Sequence, residues 1–303
     1  MLEPGIDLPH EQEWALWHNS FSLCSKKVRV CLAELGLPYS SHEIELVETG
    51  WYQNVTAEFL AINPAGTVPV LVHDGHPIYE SHDQIVYAAE HAGERGKALL
   101  PTEPALRAEM DSWVDASSLV GDPLEGGAAR AGHCVPGLTI PLFATTIAAI
   151  PVREILKGFR RHPDRKRPFF FLLLKAFGVT GLPRLRPVVE MIRRSRDQMA
   201  LHLDRVSAQL ERSGGPWLLG EPFTLADVSW MVVLDRLVEA DWERVFWAEG
   251  QRPLVAAWWE RLKGRESFRA AVESMRCPNV RDGIAALAAA KMQDAALREA
   301  LEG

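Results

Sequence analysis

One change of periodicity divides this chain. Between Trp14 and Ala92 the apolar residues alternate between strand-like and helix-like spacing, and beyond Gly96 every long periodic segment is helical. Trp14-Ala15-Leu16-Trp17 predicts a strand that ends at His18-Asn19-Ser20, and Val28, Leu32 and Leu35 predict a helix stopped by Gly36. Ser41 to Val47 alternates like a second strand, Trp51 to Ile62 is helix-like, and Asn63-Pro64-Ala65-Gly66 is a turn cluster. Val68 to Val72 predicts a buried strand, Asp74-Gly75 a hairpin turn, Pro77-Ile78-Tyr79 the returning strand, and Ser81 to Ala92 a helix. The order is βαβαββα.

The rest predicts helices over Ala105 to Val120, Val188 to Leu210, Thr224 to Val238, Leu254 to Leu262, Ser267 to Val272 and Ile284 to Leu301. A βα run followed by an α run predicts two domains, at 1–95 and 96–303. The stretch 121–187 interrupts the second. It opens on Gly121, Pro123, Gly126 and Gly127, and Pro141, Pro151, Pro163, Pro168, Pro183 and Pro187 predict short helices and loops.

Composition removes several classes. A chain of 303 residues, 47% hydrophobic and 24% charged, can bury its own cores. A net charge of −7 gives no support to a nucleic-acid binder. Cys24, Cys31, Cys134 and Cys277 are too scattered for a disulfide framework, and no CxxC or HExxH spacing occurs, so no metal is expected. The acidic start, with Glu3, Asp7, Glu11 and Glu13, does not read as a signal peptide, and there is no spanning run of apolar residues. The tail from Ala295 to Gly303 is polar, so no membrane anchor is expected there. A reducing, cytoplasmic location is the expectation.

Ser22-Leu23-Cys24-Ser25 lies between the first strand and the first helix. A helix N-terminus presents free N–H groups and a positive dipole end, which favour a thiolate. Cys24 could be that nucleophile, or Ser22 could donate a hydrogen bond to another thiolate; Lys26 and Lys27 would strengthen the field. The plainer reading is an N-cap serine and a packed thiol. Cys31, two turns beyond Cys24, is too far along the helix for a disulfide, which argues against a dithiol cycle. Pro69 sits where a cis bond would expose the backbone of Val68 to an extended peptide. Glu80-Ser81, with Ser81 as the cap of a helix, offers a carboxylate and free N–H groups to an amino-acid head group. Phe223-Thr224-Leu225-Ala226-Asp227-Val228 predicts a capping box with a hydrophobic staple.

Together, Ser22 to Arg29, Asn63 to Leu71 and Tyr79-Glu80-Ser81 resemble the glutathione-binding domain of the cytosolic glutathione transferases. The resemblance covers Trp14 to Ala92 and implies a thioredoxin-like domain followed by an all-α domain, an α/β plus all-α class. It implies Thr67, Val68, Pro69, Glu80 and Ser81 as glutathione-binding residues, with Pro69 the cis-proline, and Ser22 or Cys24 as catalytic residue. The Ser-x-Cys start is also similar to zeta-class isomerases and to bacterial hydroquinone dehalogenases, in which the cysteine works. The inserted stretch and the start of the first helix resemble the ganglioside-induced differentiation-associated branch. Where some classes carry lysine or histidine before Thr-Val-Pro, this chain has Gly66.

The implied function is a glutathione-dependent transferase acting on a hydrophobic, electrophilic, aromatic substrate, with glutathione as cosubstrate and a homodimer as assembly. The acceptor pocket is expected between the domains, near Trp113 and the insertion. The alternatives are a reductive dehalogenase, an ether-cleaving enzyme or an isomerase using Cys24, or a non-catalytic glutathione-binding or membrane-associated protein. Residues 151–194 carry twelve Lys and Arg against three acids, a net +9, leaving −16 for the remainder of a chain whose total is −7. That excess suggests peripheral contact with an anionic membrane, a lid over an acidic substrate, or steering of anionic glutathione; the plainer reading is a solvated face.

Overall fold

The computed structural model describes residues 7–121, 127–162 and 164–303; the N-terminal residues 1–6, the Pro123 and Gly126 breaks and Pro163 lie outside the described residues. A four-stranded sheet in the order β2-β1-β3-β4 forms the first domain, from β1 (Trp14–His18), β2 (Ser40–Glu43), β3 (Val70–His73) and β4 (His76–Ile78). β2 runs parallel to β1, whereas β3 is antiparallel to both β1 and β4. Side-chain alternation sets the two faces: Trp14, Leu16 and Leu71 enter the main core, while Ala15, Val70 and Val72 meet Phe59 and Ile44 on the other. Helices α1 (Leu23–Leu35) and α3 (Ser81–His91) cover the first face, and α2 (Ala57–Ile62) supplies Phe59 to the second.

Several elements are shorter than their apolar pattern. The second strand stops at Glu43, and the third begins at Val70 rather than Val68. The segment from Trp51 to Ile62 divides into a 3-10 turn at Gln53–Val55 and α2, because Thr56 turns extended and caps α2 with its hydroxyl. Gly36 ends α1 in the left-handed region at φ 59°, as its position in the sequence suggested.

The remaining helices are α4 (Glu94–Leu99), α5 (Pro104–Ala116), α6 (Val135–Ala149), α7 (Val152–Arg161), α8 (Lys166–Phe177), α9 (Arg186–Ser213), α10 (Leu225–Glu239), α11 (Pro253–Lys263), α12 (Glu266–Phe268), α13 (Pro278–Gln293) and α14 (Ala295–Glu302). The position where the sequence divides the domains falls inside α4. The tail is two helices, since Asp294 breaks the pattern and caps α14 through a 3.0 Å bond from Leu297 N. The capping box of α10 forms: Thr224 N donates to Asp227 Oδ2 at 3.0 Å, and Thr224 Oγ1 accepts from Ala226 N at 3.3 Å. Asp227 also accepts from Leu218 N at 2.9 Å and Trp258 Nε1 at 3.0 Å, so the box staples two further segments.

The insertion has the short helices that its prolines suggested in α7 and α8, but it also departs from that reading. It contains α6, a core helix of 15 residues that retains Pro141 in its interior. Its neighbours α8, α9, α10 and α13 surround it, and that packing outweighs the local preference of proline. Ala131–Ala149 is long and apolar enough to cross a membrane, yet most of it is buried inside the fold, as in a core helix. α7 and α8 then form a hairpin docked on the segment that follows β2. Arg167 pairs with Glu48 at 2.5 Å, and Gly158 lets the ring of Tyr52 approach so closely that a Cβ there would lie 2.8 Å from it.

Candidate functional site

The register of the sheet collects the motifs at one edge. Trp17 pairs with Val70, so Val68 and Pro69 enter beside the end of β1, where His18 leads into α1. Leu71 pairs with Ile78, which brings Tyr79 and Glu80 to the same edge. Gln84 ties these pieces together: its Nε2 donates to Pro69 O at 3.0 Å and to Ile78 O at 2.7 Å.

Ser22 is the N-cap of α1, and its Oγ accepts from Ser25 N at 3.2 Å. The plain capping reading is therefore correct, and it leaves the hydroxyl proton free to donate. Cys24 stands one residue inside the helix and is partly exposed, as is Ser22. Among the described residues, the N–H groups of Leu23 and Cys24 make no hydrogen bond, which leaves the helix start able to receive an anion. Cys31 is fully buried, its Sγ donates to Ile85 O at 3.6 Å, and burial pushes its thiol well up. It belongs to the core and takes no part in the site.

The expected contribution of Lys26 to this field is not made. Its Nζ turns to α10 and pairs with Asp235 at 2.6 Å and Glu239 at 2.7 Å, all three groups being buried. Lys27 does not join that cluster. It is 1% exposed, and among the described residues it has neither an ion pair nor a hydrogen bond.

The Val68–Pro69 peptide is cis, as the position of Pro69 suggested. Thr67 is exposed, Val68 partly so and Pro69 buried. Among the described residues, the N–H and C=O of Val68 form no hydrogen bond, which leaves a short free strand edge. Asn63 and Asn54 build the turn before it: Asn63 Nδ2 donates to Thr67 O at 2.8 Å, and Asn54 Nδ2 to Gly66 O at 2.7 Å. Ser81 does not cap α3. Glu80 holds the N-cap position at φ 61°, and Ser81 is the first helical residue, 7% exposed. The left-handed backbone at an exposed glutamate costs on the order of 1 kcal/mol, and among the described residues the N–H groups of Ser81 and His82 make no hydrogen bond.

Three positioning residues escaped the sequence reading. Asn19 Oδ1 accepts from Phe21 N at 2.9 Å and Ser22 N at 3.1 Å, while its Nδ2 donates to Ile44 O at 3.0 Å. Arg29, fully buried, donates to Asn19 O at 2.9 Å and to Ala271 O at 2.8 Å, so the loop before α1 is braced from the helical domain. Gln84 is the third. The partners that fix them are distant in sequence, Ile44 for Asn19, Ala271 for Arg29 and Pro69 for Gln84, so no local pattern marked them.

A cavity of about 710 Å³ lies in the helical half, between α6, α8 and α9. Ile140, Phe143, Phe170 and Met191 provide apolar walls, and charges of both signs border it, Lys166, Arg167 and Arg194 with Asp164 and Glu190. Phe143 meets Phe21, next to Ser22, edge to face at 5.9 Å. Trp113 is not part of it. Its carbonyl accepts from Trp230 Nε1 at 3.0 Å, and it borders a separate recess with Glu109, Ser112, Arg205 and Arg212. Among the described residues no cluster could hold a metal ion.

Comparison with known proteins places two matches along this architecture. The glutathione S-transferase N-terminal domain matches residues 21–91, and the glutathione S-transferase C-terminal domain matches 190–261. Human ganglioside-induced differentiation-associated protein 1-like 1 is 26% identical over 84% of this chain and 72% of its own length. The tetrachloro-p-hydroquinone reductive dehalogenase of Sphingobium chlorophenolicum is 22% identical over 90% of this chain and 99% of its own. In structure, the beta-etherase LigF from Sphingobium sp. strain SYK-6 superimposes with a TM-score of 0.69 at 20% identity, over 87% of this chain and all (100%) of that one. Residues 92–189 fall between the two matched domains.

Proposed function

This chain belongs to the glutathione S-transferase superfamily, and from that premise we propose that it uses glutathione as cosubstrate in transfer to, or reduction of, a small aromatic electrophile. The observation that carries the reading is the convergence at one sheet edge of three unsatisfied backbone sites: the start of α1, the Val68 peptide and the start of α3. The Val68 backbone pairs with the peptide of glutathione, and Thr67 and Pro69 fix its approach. Glu80 and the N–H of Ser81 receive the γ-glutamyl ammonium and carboxylate. The sulfur then lies at the start of α1, where the Leu23 and Cys24 N–H groups and the Ser22 hydroxyl stabilise its negative charge.

The thiolate attacks an electrophile held in the cavity behind Phe143. Its apolar walls suit an aromatic ring. Ser22 is the working residue in this reading, because its proton is free to donate while its oxygen caps the helix. The test is glutathione conjugation of a generic aryl halide. Ser22→Ala is expected to lower kcat/KM by roughly a hundredfold, and Cys24→Ser to leave it within a few-fold. The reverse pattern would assign the chemistry to Cys24 through a mixed disulfide, as in dehalogenation, ether cleavage or isomerisation.

The cytoplasm and a homodimer complete the proposal. A second reading is favoured by the exposed apolar side chains of the inserted hairpin: the segment 151–194 makes peripheral contact with an anionic membrane, with or without turnover at the glutathione site.

A further inference from the structure

A buried ammonium without a counter-ion is costly, and a fold retains one where a ligand completes it. Lys27 is such a group. It is 1% exposed and, among the described residues, has no ion pair and no hydrogen bond. It follows Cys24 by three positions, so the two side chains share a face of α1 at its N-terminal end. α3 packs on the same helix and begins at Glu80. Burial pushes the Lys27 ammonium down, while the Cys24 sulfur and the Glu80 carboxylate pull it back up, which places both within its field.

The other charges near α1 are already matched. On α10, Asp235 and Glu239 are held by Lys26 and Arg276, and Arg236 pairs with Glu239. Glu34, at the far end of α1, is taken by Arg265 and Ser267. Among the described residues, Lys27 is the cation of α1 left with neither a hydrogen bond nor an ion pair, on the helix whose Leu23 and Cys24 N–H groups are also unpaired.

We propose that Lys27 is the counter-cation of the glutathione thiolate, facing the sulfur from beneath the start of α1. The inference rests on the glutathione reading above and goes beyond it by giving the thiolate a full positive charge as well as N–H groups and the Ser22 hydroxyl. The thiol ionises on binding, its proton passes to solvent, and the ammonium remains opposite the sulfur until the sulfur forms its new bond to the substrate.

The experiment is a pH titration of the thiolate absorbance near 240 nm for reduced glutathione bound to the full-length protein. In Lys27→Met the ionisation midpoint is expected to rise by roughly one pH unit or more, and in Lys27→Arg to return most of the way. An unchanged midpoint in Lys27→Met overturns the proposal, even if glutathione binds more weakly, because weak binding alone would assign Lys27 to the γ-glutamyl carboxylate. Absence of a thiolate band in the unsubstituted protein overturns the glutathione reading itself, and the two failures are thereby distinguished. If Lys27→Met lacks native near-ultraviolet circular dichroism, Lys27→Gln gives the same readout with the same two outcomes.

Discussion

At the residue scale, His18 links the end of β1 to the site. Its ring is fully buried between Ser41 Oγ, 2.7 Å from Nε2, and Arg29, whose Nη1 lies 3.2 Å from Nδ1. Burial, then Arg29, then His42 push its pKa down to about 3. The folded ring stays neutral where the unfolded one, near 6.5, takes a proton. Stability is therefore fully present above the unfolded value and lost as pH falls through it. Asp227 opposes this, since burial raises its folded pKa to about 6, so the folded protein takes up a proton there as pH falls. Comparing unfolding midpoints in urea at pH 7 and pH 5 separates the two. His18→Gln is expected to remove about 2 kcal/mol of the acid-induced loss, and an unchanged difference between the two pH values would show that the ring does not contribute. The N-cap role of Ser22 was legible from its place before an apolar run, whereas the bracing by Asn19 and Arg29 was not. Asn19 spans from β1 to Ile44 and Arg29 reaches Ala271, contacts that no local pattern records.

At the scale of the element, the α7–α8 hairpin has the short helices that its prolines suggested. Pro151 and Pro168 stand at or within the first turn of their helices, where the missing N–H costs little. Its inner seam, Ile155, Gly158, Pro168, Phe171 and Leu174, is buried. Its outside leaves Val152 47%, Leu156 48%, Phe169 64% and Phe177 39% exposed, beside Arg153, Lys157, Arg160, Arg161 and Lys166. Apolar side chains among cations suit a lipid surface of negative charge, with each cation contributing about 1 kcal/mol near it. In sedimentation with vesicles of phosphatidylserine and phosphatidylcholine, the protein is expected to pellet at low salt and to be released at high salt. Vesicles of phosphatidylcholine alone should not carry it down, and Phe169→Glu with Leu156→Glu should abolish pelleting on the anionic vesicles. Pelleting unaffected by that pair would mean that the apolar stripe is not the contact.

For the whole molecule, the two domains are joined through a buried charge cluster. Lys26 on α1 meets Asp235 and Glu239 on α10, and Arg236 and Arg276 complete the network. Arg236 also donates to Phe21 O and lies 4.0 Å over the Phe21 ring, so the loop before α1 is held by the partner domain. Removing one member leaves buried charge unmatched. Lys26→Met is expected to cost about 3 kcal/mol in urea unfolding, and adding Asp235→Leu to recover part of it. Equal stability of Lys26→Met and the unsubstituted protein would mean that the arginines suffice.

The sequence by itself determined what depends on near neighbours along the chain: the βαβαββα order, the Gly36 stop, the Asp74-Gly75 hairpin, the capping box at Thr224 and the place of the cis peptide at Pro69. Periodicity, caps and turns act over a few residues, and a sequence displays them directly. Only the tertiary structure decided which way Lys26 and Lys27 turn, that Glu80 rather than Ser81 holds the cap of α3, that α6 keeps Pro141, and that the large cavity lies behind Phe143 rather than beside Trp113. Each of these depends on groups distant in sequence. Two adjacent lysines on one helix are equivalent until α10 brings two carboxylates to the first and none to the second.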